Sequence, residues 1–180
     1  MTPRCLPLFL MLMGTLSLTA QDASIGMKAQ VSMPMGDLRN LTNGRPGLGA
    51  ALFIELSAGE ALLLRPSLGA QQIPALTSLG LAGTQAKVTS VDLMLDALWF
   101  PNADLNNGPY LVGSLGCQEW RVSSPPGATP ASTDVPRLGA AGGIGYQFSP
   151  RLGMELKVFW SSIETNLTAT GIGLGATWKF

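Results

Sequence analysis

Apolar and polar residues alternate along most of the chain after residue 20. In the segment SIGMKAQVSM, for example, Ile25, Met27 and Val31 alternate with Lys28 and Gln30. A period of two is typical of a β-strand that has one apolar and one polar face. Eight such segments follow one another with no helical periodicity between them. The sequence therefore predicts an all-β protein of eight strands.

The connections between the predicted strands alternate in length. Short turns follow the second, fourth and sixth strands, and mostly longer loops rich in Gly, Pro, Ser, Thr and Asn follow the first, third, fifth and seventh. This alternation is typical of an up-and-down meander with one smooth and one elaborated rim. The predicted strands cover residues 24–33, 47–57, 62–68, 89–100, 109–117, 138–148, 154–160 and 170–180, and the longer loops cover residues 36–46, 71–86, 119–136 and 162–168.

The fifth predicted strand has the least regular pattern, so its facing is left open. Trp120 follows this strand and is assigned to the loop 119–136, where it is a candidate anchor for an extracellular ligand. A tryptophan in a loop more often packs on its own rim, and that alternative also stays open. Ser114 and Gln118 favour an apolar face made of Leu111, Gly113, Leu115 and Cys117.

A pattern of period two fits a soluble barrel as well as a membrane barrel, and the placement of charge separates them. A soluble barrel turns its charged face to water and fills its centre with bulky apolar side chains. Here the charged face also holds most of the strand glycines, which suit a narrow lumen. Buried charges need partners, so we expect structural ion pairs inside the barrel, with a small leak or gate as the alternative. The charges assigned to this face are Lys28, Glu55, Arg65, Asp92, Asp96, Glu155, Lys157 and Lys179.

The apolar face is long enough to cross a membrane. Ten residues at about 3.3 Å each, tilted near 45°, span roughly 23 Å, close to the apolar band of about 25 Å on an outer-membrane barrel. Aromatic residues collect at strand ends, as an interfacial girdle does. We therefore predict a transmembrane barrel whose girdle contains Trp99 and Phe148 at the short-turn rim, together with Trp178 and Phe180, and Trp160 near the other rim.

The first twenty residues have the layout of a secretory signal peptide. Arg4 supplies the positive charge, the segment Leu6–Met13 is apolar, and small residues precede Ala20. We expect cleavage after Ala20, or alternatively after Ala23. A membrane anchor is the other interpretation, but the apolar run is short for a helical span of about 20 residues. Cleavage would leave Cys117 as the single cysteine of the mature chain, so an internal disulfide could not form.

The composition excludes several classes of function. The chain is 46% hydrophobic and only 12% charged, and its 11 basic residues balance its 11 acidic ones, so it lacks the basic footprint of a nucleic-acid-binding protein. It contains no histidine, which excludes Ser-His-Asp and Cys-His catalysis and histidine-ligated metals. Asp92 and Asp96 lie about 13 Å apart along one strand, too far for a glycosidase pair. We expect neither an enzyme nor a cofactor or metal site.

The end of the chain resembles a known family, the small outer-membrane β-barrel proteins of the OmpA type. The resemblance lies in the final segment GIGLGATWKF and in the preceding segment LGAAGGIGYQFSPRLGMELKVFW, and it covers residues 21–180. It implies an eight-stranded antiparallel barrel whose last strand is read by the outer-membrane insertion machinery. The loops match no member of the family. The residues that would carry the assembly signal are Ile172, Leu174, Ala176, Trp178 and Phe180.

The sequence thus predicts a signal peptide in residues 1–20 and an outer-membrane β-barrel domain in residues 21–180. The expected location is the outer membrane of a Gram-negative-type bacterium, with both termini in the periplasm and lipid around the barrel. The leading hypothesis is a non-enzymatic structural protein. A surface adhesin whose loops bind an extracellular ligand of unknown identity, and a minor channel with a narrow ion-paired lumen, are the alternatives.

Overall fold

The computed structural model describes residues 23–74, 87–123, 136–164 and 167–180. The predicted signal peptide, residues 1–20, lies outside the described residues, as do residues 75–86 and 124–135 of two predicted loops. One short helix, α1, follows the first strand. The elements are β1 (Ala23–Met35), α1 (Gly36–Thr42), β2 (Gly47–Ser57), β3 (Leu62–Pro74), β4 (Lys87–Trp99), β5 (Gly108–Ser123), β6 (Arg137–Gln147), β7 (Leu152–Glu164) and β8 (Leu167–Lys179).

The eight strands form a closed antiparallel barrel in which each strand pairs with its neighbours in sequence. The barrel closes between β1 and β8, where Met27 lies opposite Trp178 and Gly26 opposite Lys179. Closure pairs both edges of the sheet, so no long strand edge is left open between the first and last strands. The prediction of an all-β, eight-stranded up-and-down barrel is confirmed.

The alternation of side chains follows the pleat of each strand. On β5, Leu111 and Leu115 are exposed on the outer face, whereas Tyr110, Val112 and Trp120 are buried inside. The outward facing of Leu111 and Leu115 decides the question that the sequence pattern left open for the fifth strand. On other strands Glu55, Arg65 and Glu155 are buried, so the barrel has an apolar outer surface and carries these charged residues inside.

The strands extend further toward the long-loop rim than their hydrophobic patterns predict. Trp120 belongs to β5 and not to a loop, and its side chain is buried inside the barrel with 2% of its surface exposed. Its Nε1 donates a hydrogen bond of 3.3 Å to Ser161 Oγ. The assignment of Trp120 to a ligand-binding loop is wrong. The loop predicted for residues 162–168 is also too long, because β7 continues to Glu164 and β8 begins at Leu167.

The helix α1 was not predicted, and it packs into the long-loop end of the barrel. Leu38 is fully buried, and Asn43 ends the helix in a left-handed conformation with φ of 51°. The backbone N and Oγ1 of Thr168 donate hydrogen bonds of 3.1 and 3.0 Å to Asp37 Oδ2, which tie α1 to β8. Among the described residues, no helix is long and apolar enough to cross a membrane.

The inside of the barrel contains two apolar clusters and a set of charged side chains. One cluster fills the long-loop end, and the other lies against β3, β4 and β5 toward the short-turn end, where Glu55 of β2 and Lys179 of β8 are buried as well. Both clusters consist of buried side chains that contact one another. The loop-side cluster contains Leu38, Ile73, Val88, Trp120, Ile163 and Ala169, and the turn-side cluster contains Leu63, Leu98, Phe100, Tyr110 and Val112.

Lumen glycines lie beside the largest inward side chains. A Cβ atom on Gly145 would overlap the ring of Tyr110, and one on Gly26 would overlap the ring of Phe53. Because the lumen of an eight-stranded barrel is just wide enough to be filled by side chains, each bulky residue needs a small neighbour. These two positions therefore require glycine, because any larger residue would overlap the neighbouring aromatic ring.

We expect Gly145→Ala to lower the free energy of unfolding by about 1–3 kcal/mol, the usual cost of overpacking a filled interior. Urea titration of the barrel in lipid vesicles would measure the change. Gly142→Ala is the matched control, since Gly142 lies on the outer face of the same strand and its Cβ would meet no atom closer than 4.0 Å. Equal stability of the two variants would contradict the requirement for a glycine at position 145.

Candidate functional site

Arg65 lies at the centre of the lumen and joins three other strands. Its side chain is only 1% exposed. Nε and Nη2 donate hydrogen bonds of 3.1 and 2.7 Å to Asp96 Oδ2 on β4, and Nη2 also bonds Glu155 Oε1 on β7. Nη1 lies 3.6 Å from Glu55 Oε1 on β2. One guanidinium therefore connects both sides of the barrel through carboxylates, which match its forked geometry.

Two lysines extend this arrangement toward both ends of the lumen. Lys157 Nζ donates hydrogen bonds of 2.8 Å to Asp96 Oδ2 and 3.2 Å to Ser114 Oγ, and it lies 3.4 Å from Glu155 Oε2. Lys179 Nζ donates a hydrogen bond of 2.9 Å to Glu55 Oε2. The residues Glu55, Arg65, Asp96, Glu155, Lys157 and Lys179 therefore form one continuous network, called here the lumen network.

Two aromatic side chains contact the lumen network. Tyr110 OH donates a hydrogen bond of 3.0 Å to Glu155 Oε1. The ring of Phe53 lies 5.1 Å from Arg65 Cζ, within the range of a cation–π contact. Neither residue was singled out from the sequence. The inward parity of β5 identifies Tyr110 once the facing of that strand is known, and Phe53 is a bulky residue on the polar face of β2.

Among the described residues, the remaining two predicted lumen charges, Lys28 and Asp92, form no ion pair with the lumen network, although they share a cavity with Asp96, Glu155 and Lys157. Both line a cavity of about 60 Å³ whose wall also contains Gln30, Gln71 and Gln118. Among the described residues, neither Lys28 nor Asp92 has an oppositely charged group within 4.0 Å. The structure therefore brings six of the eight predicted charges into direct contact and leaves two facing a polar cavity.

The eight lumen charges predicted from the sequence balance one another. Lys28, Arg65, Lys157 and Lys179 face Glu55, Asp92, Asp96 and Glu155, so four positive charges meet four negative ones. In the part of the chain that the structure describes, no group of three or more His, Cys, Asp or Glu residues is placed to hold a metal ion. Asp96 accepts hydrogen bonds from both Arg65 and Lys157, which hold its carboxylate in an ion-pair network. This arrangement stabilises the buried charges.

The residues predicted for the girdle and for the assembly signal lie on the outer surface. Trp99, Phe148 and Trp160 are about half exposed on the outer face, and the Phe148 ring lies 5.0 Å from that of Tyr146, which the sequence reasoning missed. Phe180 N donates a hydrogen bond of 3.0 Å to Ile25 O, so the chain end continues the pairing of β8 with β1. The outward residues of this last segment are Ile172, Leu174, Ala176, Trp178 and Phe180.

No protein-family model and no curated protein matches this sequence. Several solved structures do match its fold. Ail, the attachment invasion locus protein of Yersinia pestis in complex with the heparin analogue sucrose octasulfate, superposes with a TM-score of 0.60 and 15% identity over 88% of this chain and 97% of Ail. The N-terminal β-barrel domain of Pseudomonas aeruginosa OprF gives a TM-score of 0.55 and 14% identity over 87% and 97% of the two chains. Neisserial surface protein A gives 0.56 and 15% over 88% and 97%.

The chain has the fold of the small eight-stranded outer-membrane β-barrels. The fold expected from the resemblance in its last strands is therefore confirmed. At 14–15% identity the likeness concerns the fold. The function of this chain depends on the side chains of its own lumen and surfaces.

We expect Arg65→Met to lower the free energy of unfolding by about 3–5 kcal/mol, because it leaves three buried carboxylates without their shared cation. Urea titration in lipid vesicles would measure this change. Arg121→Met is the matched control: Arg121 pairs with Glu119 at an exposed position, where an ion pair contributes at most about 1 kcal/mol. Similar losses in the two variants would show that the central position of Arg65 has no special importance.

Proposed function

We propose that the protein is a non-enzymatic structural β-barrel of an outer membrane. The observation that carries the proposal is the inversion of polarity between its two faces. Large apolar side chains are exposed all around the barrel, as with Ile25, Leu52, Leu115 and Ile144, whereas charged side chains are buried inside. Such a surface is costly in water and favourable in lipid, because lipid surrounds it with apolar groups. Lipid is therefore the first partner of the protein.

We place the short-turn rim on the periplasmic side and the long loops outside. β1 begins and β8 ends at the short-turn rim, and short turns at the periplasmic rim with longer loops at the extracellular rim are the usual arrangement in these barrels. The aromatic residues Trp99, Phe148 and Trp178 lie at this rim, where interfacial side chains anchor a barrel. We also propose that the outward residues of β8 are read by the insertion machinery, since pairing of β8 with β1 completes the barrel.

We propose further that the barrel does not conduct ions. The loop-side cluster fills the long-loop end of the lumen with buried apolar side chains, and the lumen network crosses the middle. An ion that crossed the lumen would have to lose its water within this cluster, and an unpaired charge among apolar side chains is strongly disfavoured. The loop-side cluster favours the structural hypothesis over the minor channel.

The membrane proposal is tested by running the protein unboiled and boiled on a denaturing gel after fractionation of the cells. We expect the protein in the outer-membrane fraction, with a mobility that shifts on boiling because the closed barrel resists detergent until it is heated. In planar bilayers the refolded protein should show no ion current. Recovery in the soluble periplasmic fraction without a mobility shift would overturn the membrane proposal, and steady single-channel currents would overturn the closed lumen.

A second function is favoured by two arginines at the long-loop rim. Arg39 on α1 is exposed, and its Nε lies near Gly44 in the turn that carries Arg45. Among the described residues neither arginine forms an ion pair, whereas Asp37 bonds Thr168. We propose that this pair, called here the rim arginines, binds sulfated or phosphorylated sugars at the cell surface. The sulfated sugar bound to Ail supports this choice of ligand class.

We expect the double variant Arg39→Ser/Arg45→Ser to bind immobilised heparin about tenfold more weakly, which corresponds to ~1.4 kcal/mol. The measurement is surface plasmon resonance on the barrel in detergent. Repeated at higher salt, it should show the largest loss of heparin affinity for the wild-type protein, because salt screens the arginine charges. Arg151→Ser is the control, since Arg151 is exposed at the opposite rim. Unchanged affinity of the double variant, or an equal loss with Arg151→Ser, would contradict a role of the rim arginines.

A further inference from the structure

The hydrogen-bond ladder between β2 and β3 is interrupted at one place in the barrel wall. Pairing holds up to Phe53 opposite Ser67, lapses for two positions on each strand and then resumes in the same register. The unpaired residue next to Ser67 is Pro66. Proline has no backbone N–H and is normally confined to edge strands, to the first residue of a strand or to bulges. Pro66 is in none of these places, because β3 is paired on both sides and Pro66 itself lies opposite Leu95 of β4.

The interruption leaves one backbone acceptor without its usual donor. Residues of an antiparallel strand direct their N–H and C=O groups to the two neighbouring strands in turn, so a missing N–H interrupts the ladder that it would have faced. At Pro66 the ladder with β4 is intact and the ladder with β2 is not. The carbonyl oxygen of Ile54, which lies opposite Pro66 in this register, therefore receives no ladder hydrogen bond from β3. In lipid no water replaces the missing donor, and an unsatisfied backbone group there is costly.

Side chains on the lumen side join the two strands across this interruption. Glu55 and Arg65 are the other two unpaired positions, and Arg65 Nη1 lies 3.6 Å from Glu55 Oε1. Both side chains are buried, and the Phe53 ring lies 5.1 Å from Arg65 Cζ. The inner side of the interruption is therefore filled by the lumen network and Phe53. A ligand of the Ile54 carbonyl oxygen has to approach from the outer face.

An apolar groove lies over the interruption on that outer face. Its volume is about 320 Å³, at the lower end of the range of about 300–1,000 Å³ for small-molecule pockets. Pro66 is buried within it, whereas Leu52, Ile54 and Leu68 around it are about half exposed. None of its described lining residues is charged, so the groove favours an uncharged ligand. An acyl chain of a lipid would fill such a groove but would bring no donor for the Ile54 carbonyl oxygen.

We propose that the seam between β2 and β3 is a lateral binding site for a small uncharged molecule that is apolar apart from one hydroxyl group, such as a phenol dissolved in the membrane. The apolar body of the ligand fills the groove, and its hydroxyl group donates a hydrogen bond to the carbonyl oxygen of Ile54. This proposal takes from the membrane proposal only the exclusion of water from the outer face. The mobility shift on boiling decides the membrane proposal by itself, so failure to bind a phenol would leave the membrane proposal standing.

The proposal is tested by titrating the barrel in lipid nanodiscs with phenol and, in parallel, with anisole, in which a methyl group replaces the hydroxyl hydrogen. The readout is the carbonyl carbon resonance of ¹³C-labelled Ile54, which shifts when its oxygen accepts a hydrogen bond. We expect a saturable shift with phenol and about fivefold weaker binding of anisole, because one hydrogen bond contributes roughly that factor. No shift with phenol, or an equal shift and affinity with anisole, would overturn the proposal.

Substitution of the proline tests whether the missing N–H creates the site. Pro66→Leu gives residue 66 an N–H that completes the ladder, so we expect the preference for phenol over anisole to be lost. Pro66→Ala supplies the same N–H and is the variant to use if the leucine prevents folding. Pro109→Leu is the matched control, since Pro109 is exposed on β5 where the pairing with β6 is unbroken, and it should keep the wild-type preference. Persistence of the preference after the ladder is completed, or its loss in Pro109→Leu, would contradict the proposal.

Discussion

The pairing of Arg65 with three carboxylates is the interaction on which the rest of the lumen depends. A guanidinium cannot lose its charge in a protein, so its near-complete removal from water must be met by anions from the surrounding wall. Asp96 comes from the neighbouring strand β4, Glu55 from β2 and Glu155 from β7 across the lumen. The carboxylates in turn need further cations, because three of them exceed one guanidinium in charge. Lys157 and Lys179 supply these, and the network closes at zero net charge.

The need to house this network also determines where the glycines lie. An eight-stranded barrel has a fixed, narrow interior, so long inward side chains on one strand require small residues on the strands beside it. Glu155 on β7 lies opposite Gly145 on β6 and Gly175 on β8, and Lys157 lies opposite Gly143 and Gly173. The high glycine content of β6 and β8 is thus the packing counterpart of the charges on β7. Glycine, usually unfavourable in a strand, is tolerated here because it makes this space.

Much of this architecture is predictable from the sequence, because period-two alternation assigns a face to every residue of a regular strand. The inward facing of Lys28 and the outward facing of Trp99 follow from parity alone. Trp120 was misplaced because Glu119 and Arg121 point outward beyond the apolar belt, where the outer face of β5 is itself polar. There the side chains still alternate in direction but no longer in polarity, so the pattern disappears before the strand ends.

Two further features depend on information that local sequence does not carry. The helix α1 has seven residues and buries only Leu38 and Thr42, which is too little to produce a helical period. The partners of Arg65 depend on how the strands are staggered around the barrel, since Glu155 lies 90 residues away in sequence. Parity shows that both residues face the lumen. Only the three-dimensional register shows that they meet at the same height.

The lumen charges also have a consequence for the uniqueness of the fold. In lipid, the outer side chains gain little from packing against one another, so the hydrophobic effect does not by itself fix the register of the strands. A slip of β7 by one residue would turn Glu155 and Lys157 outward, and a lysine facing the middle of a bilayer costs about 2–4 kcal/mol. The same slip would also remove Glu155 from Arg65 and Lys157 from Asp96. The buried charges therefore strongly disfavour barrels in which one strand is shifted in register by one residue, even where their net contribution to the stability of the correct barrel is modest.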